Sequence, residues 1–169
     1  MRAILFLALV GCNAAVETPA DAPADASETP TTAEPAPTVP DGMEEVALFG
    51  GRTGNATRHH EPAEGTIEHA ILKSLELIAA GDHDGWMTAY CHEDACGDER
   101  MQESMKSHVL PAAQGAMASC THDGDLLVTK QEEENGFTKT WIYCGASRMP
   151  APSTAENVDG EWRFSSISW

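Results

Sequence analysis

An α+β domain, with N-terminal helices packed on a curved antiparallel sheet, is the fold class this sequence predicts. Three observations predict it. Between residues 66 and 119 apolar side chains recur at helical spacing. After Cys120 that period gives way to short runs of β-formers, densest over Phe137, Thr138, Thr140, Trp141, Ile142 and Tyr143. Val158-Asp159-Gly160-Glu161 then has the two-residue turn signal of a hairpin, which makes its flanking strands antiparallel. Helices first and strands after is the order of an α+β chain.

Residues 42–65 read as an irregular lead-in to the globular domain at 66–169. Phe49-Gly50-Gly51-Arg52-Thr53-Gly54 reads as a flexible entry, because it lacks the Gly-Lys-Ser/Thr ending of a phosphate loop. Thr66 is an N-cap residue type, and Glu68 is favourably placed in the first turn of the helix it opens. Ile67, Ala70, Ile71, Leu75, Ile78 and Ala79 form the apolar stripe, and Gly81 stops the helix. Asp82 or Asp84 caps a short second helix through Trp86, Met87 and Tyr90. A third starts near Asp98 and turns Met101, Met105, Val109 and Leu110 inward; Pro111 interrupts it, and Ala112 to Ser119 continue it past a kink.

Leu126 to Thr129, after the turn residues Asp123-Gly124, is the first strand, Phe137 to Cys144 the second, and Trp162 to Trp169 the last. Pro150 and Pro152 confine Arg148 to Ala155 to an edge or an irregular arm. In the last strand Trp162 and Phe164 point to one face, Ile167 and Trp169 to the other. Either a bulge switches the face midway or the sheet is covered on both sides.

Leu77-Ile78-Ala79-Ala80-Gly81-Asp82-His83-Asp84-Gly85-Trp86 resembles the helix–turn–helix opening of NTF2-like domains, also known as ketosteroid-isomerase-like or SnoaL-like domains. Asp159-Gly160-Glu161-Trp162-Arg163-Phe164-Ser165-Ser166-Ile167-Ser168 resembles their final hairpin and strand. The resemblance implies a cone-shaped fold with a pocket between sheet and helices; a cystatin-like sheet is the structural alternative. In enzymes of that family a pocket carboxylate acts as base and a tyrosine or protonated acid stabilises an oxyanion. No carboxylate here matches that base, so no catalytic residue carries over. The candidate pocket residues are Trp86, Tyr90, Trp141, Tyr143 and Trp162. Core packing accounts for most of these aromatics, leaving one or two for a pocket wall.

The chain opens with Arg2, eight apolar residues from Ala3 to Val10, and then Gly11-Cys12. A basic start, a short apolar run and a small-residue cleavage site make a secretory signal, too short to span a bilayer. Leu9-Val10-Gly11-Cys12 resembles the lipobox of bacterial lipoproteins. That resemblance implies removal of residues 1–11, lipid attachment at Cys12, and a location in the bacterial cell envelope outside the cytoplasm. Asn13 follows the cysteine where aspartate would signal inner-membrane retention, which points to the outer membrane. Ordinary secretion with cleavage near Ala14 or Ala15 is the rival. Residues 12–41 then hold the modified cysteine and a tether with six prolines, six acidic residues and no basic one. Such a composition cannot bury enough apolar surface to order itself, so a disordered spacer is expected.

Cys91, Cys96, Cys120 and Cys144 remain, an even count that reads as two disulfides in an exported chain. If 98–118 are mostly helical, Cys96 and Cys120 sit roughly 30 Å apart, beyond the reach of a bridge. That removes Cys96–Cys120 and with it Cys91–Cys144. Cys91–Cys120 is strained, because Cys91 is close along the chain to Cys96. Cys91–Cys96 and Cys120–Cys144 are left.

Cys91-His92-Glu93-Asp94-Ala95-Cys96 is rich in ligand atoms, and His59-His60 could reach it. A structural zinc uses tighter cysteine spacing and a second pair, so the disulfide is preferred and neither metal nor cofactor is expected. Asp82-His83-Asp84 reads as capping and turn residues rather than a cation or base site. A net charge of −17, from 27 acidic against 10 basic residues, disfavours nucleic acid as a partner. The expected partners are the membrane, through the lipid on Cys12, and a small apolar ligand or an envelope protein. A tethered, non-catalytic binding domain is therefore the leading expectation. An envelope enzyme of isomerase or hydrolase type using an NTF2-like pocket is the alternative.

Overall fold

The computed structural model describes residues 42–117, 119–146 and 151–167. The signal peptide, Cys12 and the tether expected over 1–41 lie outside the described residues, as does Trp169. The architecture is α+β: one open six-stranded antiparallel sheet with a helical segment inserted between its second and third strands.

β1 (Met43–Leu48) and β2 (Arg52–His59) form a hairpin closed by Phe49-Gly50-Gly51, where both glycines take positive φ (78° and 74°). This corrects the irregular lead-in expected over 42–65 and the flexible entry at 49–54. The strands were hidden because they bury little: Val46 and Ala56 are the only buried residues of the two, so no period-two apolar pattern could show.

α1 (Ile67–Ala80) begins and ends as its sequence dictates. Thr66 Oγ1 accepts the His69 N–H at 3.3 Å. Gly81, at φ 74°, donates to the Ile78 carbonyl and Asp82 donates to that of Leu77, the paired bonds of a Schellman stop. The buried face is Ile67, Ala70, Ile71, Ser74, Leu75 and Ile78, whereas Ala79 is exposed. Ser74 is tolerated there because its Oγ accepts the indole N–H of Trp86 at 3.0 Å.

α2 (His83–Tyr90) is capped by Asp82, whose carboxylate accepts the Gly85 N–H at 2.9 Å. A single turn, α3 (Glu93–Cys96), follows, and then α4 (Glu99–Ser104), capped by Asp98. Between α4 and α5 (Leu110–Met117) the helix widens into a π-turn over Met105–Val109, where the Leu110 N–H reaches the Met105 carbonyl. The disturbance lies in the turn before Pro111, the turn its ring crowds and where its missing N–H leaves a carbonyl unpaired. Met101, expected to point inward, is exposed.

The strands β3 (Leu126–Glu134), β4 (Phe137–Ile142), β5 (Ser153–Val158) and β6 (Glu161–Ser166) complete the sheet in the order β1-β2-β3-β4-β5-β6. Asn135-Gly136 and Asp159-Gly160 close two-residue hairpins with positive φ at all four residues, the backbone twist such turns need. β5 sits between β4 and β6, so the edge or irregular arm expected for 148–155 is corrected from Ser153 onward; 148–150 lie outside the described residues. Pro152 directly precedes the strand and leaves its ladder intact. The phase of the last strand is explained by a register shift: Thr154 pairs with Ser166 but Ala155 with Phe164. The bulge lets Phe164 and Ile167 enter the same core.

That core fills the space between α1 and the sheet. Ile71, Ile78, Trp86, Leu110 and Phe164 are each at most 1% exposed, and Leu126, Val128, Ile142 and Ala155 supply the sheet side. Both disulfides are present with the expected pairing. Cys120–Cys144 ties the end of the helical segment to the chain leaving β4, at a Cα separation of 4.0 Å, and Cys91–Cys96 closes the turn around α3 at 6.1 Å. A smaller cluster of Val46, Ala56 and Leu127 forms around the first hairpin, with Leu48 and Tyr143 packed on it.

Candidate functional site

The five aromatic residues predicted to line a pocket do not converge. Trp86 is sealed in the core, its only polar atom held by Ser74. Trp141 and Tyr143 flank Ile142 in sequence and therefore project from the face opposite the helices, Trp141 under Lys130 and Tyr143 stacked on His122. Tyr90 and Trp162 share a groove, between the start of α1, the end of α2 and the last hairpin. Trp162 is fixed there by its indole N–H, which donates to the Gly65 carbonyl at 2.9 Å. Alternation of a strand sends successive aromatics to opposite faces, and only tertiary packing says which face is closed.

Where polar groups do meet is the junction of β2, α1 and the turn before β3. A cleft of about 380 Å³ opens there, lined by His60, His69, Lys73, Glu76 and Asp125 among others. Asp125 is its organising residue. His122 and Asp125 exchange both backbone hydrogen bonds across Asp123-Gly124, which holds Asp125 buried, at 8% exposure. Its carboxylate accepts from Arg58 at 2.9 Å and from His60 Nδ1 at 2.7 Å. Arg58 is held in turn by Glu44 on β1 and by the His122 carbonyl. One carboxylate thus ties the end of β2 to the start of β3, two strands that share only three ladder positions.

The same contacts set the chemistry of the imidazoles. A carboxylate only accepts, so His60 Nδ1 carries the proton. His69 is oriented likewise, with Nδ1 donating to the Pro62 carbonyl at 3.0 Å. Hydrogen bonding and charge from Asp125 raise the His60 pKa above its ordinary value. His60 and Arg58, in that order, hold the Asp125 carboxyl below its own. Glu61, between His60 and Pro62, adopts φ 44°, a left-handed conformation uncommon for glutamate, and so the backbone at the rim of the cleft is strained.

These shifts define a pH window. A raised histidine pKa contributes stability below 6.5 that is lost as pH climbs through the folded value. A lowered aspartate pKa contributes stability above 3.8 that is lost as pH falls through its folded value. The network is therefore complete between those limits. NMR titration of the His60 Hε1 signal is expected to show a pKa above 6.5 in the native chain and a drop toward 6.5 in Asp125→Asn. An unchanged midpoint in the variant would show that the pair does not form in solution.

Sequence reasoning missed this site. Arg58 and His60 lie more than sixty residues from Asp125, and nothing local links them. The one available signal was Asp125 itself, an acid closing an Asp-Gly turn directly before an apolar strand.

His92, considered above as a ligand, is engaged elsewhere. It is 6% exposed; its Nδ1 accepts the Asp94 N–H at 3.1 Å and its Nε2 donates to Glu156 at 2.9 Å. Among the described residues no group of three or more His, Cys, Asp and Glu side chains is placed to hold a metal ion. Nor, among them, is any helix long and apolar enough to cross a membrane. No family model, no curated protein and no solved structure matches the chain.

Proposed function

We propose that this chain is a lipid-anchored protein of the bacterial cell envelope whose domain is a non-catalytic binding module on an acidic spacer. The anchor is read from Leu9-Val10-Gly11-Cys12 and the spacer from the proline-rich, acidic run over 13–41. Two signals or more are needed for stable attachment by acyl chains, a condition a multiply acylated Cys12 meets without a spanning helix. The NTF2-like likeness of the domain rests on the segments at 77–86 and 159–168.

The observation that carries binding over catalysis is the filled core. A ketosteroid-isomerase-like enzyme, or a carrier of a small apolar ligand, needs room between helix and sheet. Here Trp86, Phe164, Ile71 and Ile78 occupy that room. Recognition then falls to the outside of the domain, where the cleft around His60, Lys73 and Asp125 presents fixed charges of both signs. Those charges suit a polar face of another envelope protein.

The test follows both parts of the proposal in living bacteria fed labelled palmitate. The native chain is expected to take up label, to sediment with membranes, and to crosslink to envelope protein through the cleft. Cys12→Ala is expected to lose label and sedimentation together. His60→Ala combined with Lys73→Glu is expected to keep the label and lose the crosslinks. Label retained in Cys12→Ala would remove the anchor, and crosslinks unchanged in the double variant would remove the cleft.

A further inference from the structure

The two disulfides differ in a way that their shared pairing chemistry conceals. Cys120 and Cys144 are 0% and 7% exposed and belong to the core. Cys91 and Cys96 are both half-buried and line an open cleft of about 420 Å³ together with Met87, Glu93, Lys106 and Arg163. We propose that Cys91–Cys96 is a thiol–disulfide exchange site, reduced in the folded protein by a dithiol donor that enters this cleft.

Three features carry the inference. The first is access, since a disulfide reacts only where a thiolate can approach a sulfur in line with the S–S bond. The second is charge. Lys106 and Arg163 stand in the cleft wall beside Asp84 and Glu93, Lys106 paired with Asp84 at 2.5 Å and Arg163 with Glu161 and, at 2.7 Å, with the Thr88 carbonyl. Cations lining such a cleft favour a thiolate within it, both as the attacking and as the leaving group. The third is that the surrounding structure does not depend on the bridge. Cys91 makes a β-bridge to Phe164, the His92 N–H donates to the Phe164 carbonyl at 3.0 Å, and the His92 ring bonds Glu156. The segment keeps its place on β6 when the S–S bond opens, so the site can cycle.

The two sulfurs are not equivalent. Cys91 packs against the main core, whereas Cys96 ends the short α3 and has the Met87 sulfur 3.7 Å away. The donor's thiolate attacks Cys96 Sγ; the Cys91–Cys96 bond breaks and Cys91 leaves as the thiolate, giving a mixed disulfide between the donor and Cys96. The donor's second thiolate then attacks its own bridged sulfur and releases Cys96. The donor ends as a disulfide, and this chain gains two electrons and two protons. The exchange needs no lipid anchor and does not rest on the His60 cleft.

The full chain is incubated under native conditions with a thioredoxin-type dithiol protein in one arm and glutathione in the other, then quenched, alkylated and mapped. Cys91 and Cys96 are expected to become alkylated while Cys120 and Cys144 remain bridged, at a rate proportional to thiol concentration. A faster first arm is expected, and a faster second arm would overturn the dithiol donor in favour of a small monothiol. Lys106→Glu with Arg163→Glu is expected to slow the reaction by roughly tenfold or more, the scale of electrostatic steering. With glutathione disulfide as probe, Cys91→Ser is expected to form an adduct at Cys96 faster than Cys96→Ser forms one at Cys91. Reduction of both bridges together, or at a rate independent of thiol, would overturn the proposal by showing that opening requires unfolding. An unchanged rate in the charge variant would overturn the role of the cleft, and equal adduct rates would overturn the assignment of Cys96.

Discussion

Trp86→Ala is expected to lower the unfolding free energy by about 3–5 kcal/mol, the range for removing a large aromatic from a close-packed core. Few single substitutions in this domain reach further, because Trp86 is 1% exposed and touches both layers. The loss has two parts that a second variant separates. Trp86→Phe keeps most of the apolar volume but leaves Ser74 Oγ, itself 0% exposed, without the indole donor. An unpaired buried polar group costs about 1–3 kcal/mol, and pairing Trp86→Phe with Ser74→Ala should return part of it. Chemical denaturation of the three variants measures each part. A loss below about 1 kcal/mol for Trp86→Ala would mean that the core relaxes around the gap, and the case for a solid interior would weaken with it.

Replacing Cys120 and Cys144 together by serine is expected to cost about 3–4 kcal/mol, the chain-entropy value for a loop of this length. The bridge spans 24 residues, including all of β3 and β4, and both sulfurs lie in the core. The same change at Cys91 and Cys96, with a sequence separation of only 5, is expected to cost about 2 kcal/mol and to leave unfolding cooperative. Parallel denaturation curves test the order. If the short bridge proved the more stabilising, the division into a structural and an exchangeable disulfide would fail at its first premise.

Much of the fold was legible because its signals are local. Thr66, Gly81, Asp82 and Asp98 mark helix ends through bonds to backbone groups three to five residues away, and all four serve as expected. The Asp159-Gly160 hairpin needs no more than its own two residues at positive φ. The disulfide pairing followed from the length of one helical segment. What stayed illegible had no local carrier. The first hairpin buries too little to show a period, and β5 is hidden by a proline that stands next to the strand rather than within it. Ser74 interrupts the stripe of α1 for the sake of an indole twelve residues on. The phase reversal in β6 was visible, yet only the ladder to β5 shows that a bulge resolves it.

By itself, then, the sequence determined the ends of α1, the starts of α2 and α4, the last hairpin turn, the class of fold and the pairing of the four cysteines. These depend on backbone conformation and on the reach of short chain segments. Only the tertiary structure decided which aromatics are core and which are surface, that Asp125 gathers Arg58 and His60, and that one disulfide faces solvent while the other does not. Each of these depends on burial and on contacts between residues far apart in the chain. Burial belongs to the packing of whole layers, and no window of sequence contains it.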